Sequence, residues 1–90
     1  VREFLQDFRS SAGKITVELR AACAASQTTA VVAAAHKLRS SALAVGAMAL
    51  GELCAAMEEE GKAGDEGALA VLLPRFEKEM AVVEDYLDKL

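Results

Sequence analysis

Ninety residues, 53% of them hydrophobic but only 4% aromatic, are enough for one domain and too few for separate substrate and cofactor domains. Nineteen alanines, the strongest helix former, set against few β-branched and aromatic residues, argue against a sheet-rich chain. Ten Lys+Arg against fourteen Asp+Glu give a formal charge of −4, without the basic footprint of a nucleic-acid binder. The expectation is a single all-α domain over 1–90 with thin, closely approaching helices.

Four segments carry a helical period. The first, 2–25, has its stripe at Leu5, Phe8, Ala12, Ile15, Leu19 and Ala22. Ser10, Ser11 and Gly13 are weak helix formers inside it and mark a candidate break. Ser26-Gln27-Thr28-Thr29 then separates the first two stripes and offers hydroxyl N-caps to the second helix.

The second segment, 28–44, repeats at Val31, Ala35, Leu38, Ala42 and Val45. Val45-Gly46-Ala47 leaves almost no loop, which predicts a tight hairpin into a third helix, 46–61, with Ala47, Leu50, Leu53, Cys54 and Met57 inward. Gly61 or Gly64 is suited to a left-handed helix end, and Asp65 to capping the fourth helix, 66–89. That helix repeats at Leu69, Leu73, Phe76, Met80, Val83, Leu87 and Leu90, with Pro74 expected to kink it or to start a new one. Heptad-like stripes on four segments joined by short loops predict an antiparallel up-down four-helix bundle.

No run of 18 apolar residues and no signal-peptide pattern is present, and Cys23 and Cys54 read as buried thiols in a reducing compartment. The expected location is cytoplasmic. The start at Val1 reads as a domain cut from a longer protein. The two Gly-Lys pairs, Gly13-Lys14 and Gly61-Lys62, have Phe8 and Ala56 where a P-loop needs glycine. Gly61, Gly64 and Gly67 do not have dinucleotide-binding spacing, and one His with two distant Cys does not make a zinc site. No cofactor of its own is expected.

The remaining chemical group is the single histidine, His36. It lies about 100° off the inward stripe of the second helix, among Val32, Ala33, Arg39 and Ser40. Imidazole suits a phosphoryl carrier because it is a nucleophile that can be neutral near pH 7. One ring nitrogen must attack while the other keeps its N–H, and an acceptor carboxylate fixes that arrangement. Glu58 is the candidate acceptor. His36 is ten residues before Gly46 and Glu58 twelve after, so an antiparallel hairpin sets them at similar heights. On spacing alone, Glu58-Glu59-Glu60 also reads as a solvated helix end.

The run His36-Lys37-Leu38-Arg39-Ser40-Ser41-Ala42, then Val45-Gly46-Ala47, Leu50, Cys54, Met57 and Glu58, resembles the signature of the histidine phosphotransfer (HPt) domain family. That signature is His-x-Leu-Lys-Gly/Ser followed by small residues, then Leu/Val-Gly-Ala, Leu, often Cys, and Leu-Glu. The departures are Arg39 for Lys, Ser40 where Gly is common, and Met57 for Leu. The resemblance implies a carrier and not an enzyme, with His36 as phosphoacceptor and Glu58 orienting its ring. Arg39 would offset the phosphoryl charge, Lys37 would meet a partner's acidic rim or solvent, and Ser40 would leave room for a partner's loops. It further implies response-regulator receiver domains as donor and acceptor, Mg²⁺ on the receiver, and a histidine kinase in the same chain as a further partner. No nucleic-acid or membrane contact is expected. Two alternatives stay open: an HPt domain phosphorylated directly by an ATP-binding kinase domain, and a helical interaction module in which His36 is inert.

Overall fold

The computed structural model describes residues 2–89, which form four helices and no strand: α1 (Arg2–Ala24), α2 (Thr28–Ala44), α3 (Met48–Lys62) and α4 (Glu66–Asp88). Each helix packs on its chain neighbours, and α4 closes the ring against α1. With loops this short, consecutive packed helices must run antiparallel, which gives the up-down bundle. Its long dimension of 37 Å is about that of a 23-residue helix at ~1.5 Å per residue.

Each connection uses the same turn. At the end of α1, Gln27 N–H donates to Ala22 O (2.9 Å) and Ser26 N–H to Cys23 O (3.2 Å). Ala47 with Gly46 repeats this at the end of α2, and Asp65 with Gly64 at the end of α3. This is the Schellman pattern, which satisfies the last carbonyls and needs a left-handed residue just past the helix. Gly46 (φ +81°), Gly64 (φ +70°) and Ser26 (φ +55°) supply it. The residue after each one starts the next helix, as Gln27, Ala47 and Asp65.

These turns explain where the helix ends differ from the sequence expectation. Ser26 closes α1 and does not cap α2, whose N-cap is Gln27 without a side-chain cap bond. Gly46 belongs to the turn, so α3 starts two residues later than expected. Gly64, not Gly61, takes the left-handed position, and Asp65 does cap α4, its carboxylate accepting from Ala68 N–H (3.0 Å). Ser10, Ser11 and Gly13 do not break α1, and α4 continues through Pro74 as one helix.

All the expected stripe residues except Leu90, which lies outside the described residues, are buried or half-buried. Phe76, Leu19, Leu38, Leu50, Met57, Val31 and Cys54 fill the centre. The cysteines are free; burial pushes the Cys54 thiol up to about 12, and burial together with Glu77 raises that of Cys23.

The most extensive helix packing, between α2 and α3, positions the site. Ala34, Ala35 and Ala42 are buried on α2, and Gly51 and Gly61 on α3. A Cβ on Gly61 would lie 2.7 Å from Val32 Cγ2 and 3.3 Å from the Thr28 carbonyl oxygen. Gly13, also helical, has nothing within 4 Å of such an atom. The same substitution therefore has opposite expected signs at the two sites. Gly13→Ala should stabilise by roughly 1 kcal/mol through helix propensity. Gly61→Ala should destabilise, because overpacking of about 1–3 kcal/mol exceeds that gain. Denaturant midpoints of the two variants check this.

Candidate functional site

His36 projects from the outer flank of α2, its side chain 58% exposed. Opposite it, Glu58 reaches up from α3 with a side chain only 8% exposed. The imidazole Nδ1 lies 3.4 Å from Glu58 Oε1 and 3.3 Å from Oε2. An ionised carboxylate can only accept, so this contact is attractive when Nδ1 carries the proton. Nε2 is then the nitrogen with the free lone pair, on a ring whose larger part faces solvent. The expected similar heights of the two residues across the hairpin are met.

Glu58 also carries two cations. Arg39, one turn after His36 on α2, places Nη1 3.5 Å from Oε1. Lys62, one turn after Glu58 on α3, places Nζ 3.3 Å from Oε2. Burial acts to raise the Glu58 carboxyl. Hydrogen bonds from Lys62 and His36 and the charges of Arg39 and His36 outweigh it and hold the group below its ordinary value of 4.5. The carboxylate therefore stays ionised although it is nearly out of solvent. Glu59 beside it is exposed and Glu60 half-buried, so of the acidic run only Glu58 turns into the bundle.

The other two expected residues stand apart from this cluster. Lys37 reaches back to α1, where Nζ lies 3.4 Å from Glu18 Oε2. Ser40 lines a groove of about 340 Å³ between α1 and α2, with Phe4, Phe8 and Ser41 among its other walls. The sequence reading passed over Lys62. Its signal was there: Glu58 and Lys62 are four apart on one helix with the acid first, the favourable order for an ion pair.

Chemically, the cluster is an exposed nucleophilic nitrogen whose partner nitrogen is held by a buried anion, with two guanidinium or ammonium groups within reach. The net charge of Glu58, Arg39 and Lys62 is +1 before the ring is counted, which favours an anionic group arriving at the imidazole. Among the described residues, no three His, Cys, Asp or Glu side chains are grouped to hold a metal ion, and no helix is long and apolar enough to cross a membrane.

Comparison with known proteins points to one family. The sequence model of the Hpt domain matches residues 3–90. A solved structure, histidine-containing phosphotransfer protein B (HptB) from Pseudomonas aeruginosa PAO1, superposes with a TM-score of 0.94. It is 24% identical, and the match covers 98% of this chain and 76% of that one, which establishes the shared fold. A search of curated proteins finds no match. With the family match spanning nearly every residue of a four-helix bundle, the chain belongs to the Hpt domain family, the histidine phosphotransfer carriers of two-component phosphorelay signalling.

Proposed function

We propose that His36 accepts a phosphoryl group on Nε2 from the phospho-aspartate of a receiver domain and passes it to the aspartate of another. The observation that carries the reading is the 3.3 Å approach of Nδ1 to the buried Glu58 carboxylate, which leaves Nε2 outward on an exposed flank.

The step balances on these groups. The Nε2 lone pair attacks phosphorus, the N–P bond forms, and the P–O bond to the donor aspartate breaks with its electron pair leaving on that carboxylate. The ring gains a positive charge, carried at Nδ1–H and offset by Glu58. Arg39 meets the charge of the incoming phosphoryl group, a role preorganised by its place one turn along the same helix. Transfer onward is the reverse step to a second receiver. The receiver brings the Mg²⁺, the aspartate and a lysine. Ser40 and its groove lie one turn from His36, where a partner's loops would pass. Lys37 stands with Glu18 at the rim of that contact.

Labelled phosphoryl supplied from a phosphorylated receiver, without ATP or kinase, tests the donor. Label on this domain that survives alkali and is lost in acid supports the proposal. Label that appears only with an ATP-loaded kinase domain and no receiver assigns it to the directly phosphorylated class instead. No label from either donor leaves a helical interaction module.

A further inference from the structure

Glu58 is held by more cations than orienting the ring requires. His36 and Arg39 approach it from α2, and Lys62 from its own helix. No charged group of α1 or α4 is within ion-pairing distance of it among the described residues. The two cations differ in where they are anchored. Arg39 is on the helix of the nucleophile, pairs with Oε1 at the longer distance of 3.5 Å, and is 39% exposed. Lys62 is on the helix of the carboxylate and pairs with Oε2, the oxygen nearer to Nδ1. Lys62 also lies 4.0 Å from exposed Glu59, a looser contact.

A dianionic phosphoryl group on Nε2 attracts Arg39 more strongly than one shared carboxylate oxygen does, because the guanidinium can engage two phosphoryl oxygens at once. If Arg39 were the only cation on Glu58, its departure would leave a nearly buried carboxylate facing the ring alone, at the moment a second anion arrives. Such a carboxylate tends to take up a proton, and a protonated Glu58 no longer stabilises the charged ring. Lys62 does not have to move.

We propose that Lys62 is a positioning residue: it keeps the Glu58 carboxylate in place and ionised when Arg39 turns to the phosphoryl group, so that Nδ1–H stays held through transfer. This rests on His36 being the acceptor. The role acts through Glu58, with which the Lys62 ammonium pairs.

The test pairs two measurements on Lys62→Met, Lys62→Arg and the control Glu59→Gln. The first is the carbon-13 titration of the Glu58 carboxyl in the unphosphorylated protein, which needs no phosphoryl donor. The second is the rate of transfer from a phosphorylated receiver at neutral pH. Lys62→Met should move the Glu58 titration upward by about 0.15–0.4 pH units, the shift an i,i+4 ion pair corresponds to. The transfer rate should fall with it. Lys62→Arg should restore both, and Glu59→Gln should change neither. A Glu58 titration unmoved by Lys62→Met overturns the proposal, as does a moved titration with an unchanged transfer rate. A moved titration in a protein that takes label from no donor places the failure in the acceptor reading, and the positioning role falls with it.

Discussion

His36→Gln should abolish phosphoryl acceptance and leave the fold standing. The chain has one histidine, so no second imidazole can take over. An amide nitrogen has its lone pair delocalised into the carbonyl and is not a nucleophile, so the loss is complete and not a matter of degree. Folding should barely change, because a side chain this exposed contributes little to the core and surface substitutions usually stay within about 0.5 kcal/mol. The glutamine amide can still donate to Glu58, and Arg39 and Lys62 remain to pair its charge. The paired readout is label incorporation and a thermal melt. A variant that keeps label, or one that loses it only by unfolding, contradicts the assignment.

Glu58→Gln should slow transfer by roughly 10–100-fold, by analogy with the loss of a carboxylate that holds a metal-bound imidazole. The glutamine carbonyl can still accept from Nδ1–H, so the ring keeps its direction. What is lost is the negative charge that offsets the cationic ring as the N–P bond forms. Glu58→Ala should be slower still, since it also frees the ring to turn. The same substitution has a pH signature in stability. Because Glu58 titrates below its ordinary value of 4.5 in the folded state, ionisation favours folding. That contribution is complete above 4.5 and is lost as pH falls through the lower folded value. The stability gap between the parent and Glu58→Gln should therefore hold at neutral pH and narrow under acid. A gap that widens on acidification would contradict the ion-pair account.

Much of this was legible in the sequence, for physical reasons that differ by element. The stripes of α1 to α4 could be counted because a bundle buries one face of every helix, and periodicity reports that face directly. The α2–α3 hairpin was legible because Gly46 allows only a short turn there, and that turn fixes the height of Glu58 against His36. The helix ends were less legible. Ser26 in a left-handed conformation runs against its own preference, and only the tertiary path of the chain into α2 explains it. Pro74 was read as a kink or a new helix start because local chemistry alone disfavours it in a helix interior; α4 runs through it as one helix, with Leu69, Phe76 and Met80 packed on either side.

At the site, the pairing of His36 with Glu58 could be approached from spacing, but two things could not. The burial that singles out Glu58 from Glu59 and Glu60 depends on how closely Gly61 lets α3 approach α2. The i,i+4 spacing offered Lys62 to Glu58 but not its place beside the oxygen that faces His36, because a lysine near a helix end, following an acidic run, reads as ordinary surface charge. Its significance lies in the oxygen it shares with the nitrogen of another helix, and that is a property of packing.

The central claim concerns one atom. Phosphorylated, nitrogen-15-labelled protein, observed by NMR for phosphorus–nitrogen coupling in the His36 ring, tests it most directly. The account predicts phosphorus coupled to Nε2, with Nδ1 still bearing its proton. Phosphorus on Nδ1, or on any residue other than His36, would contradict it.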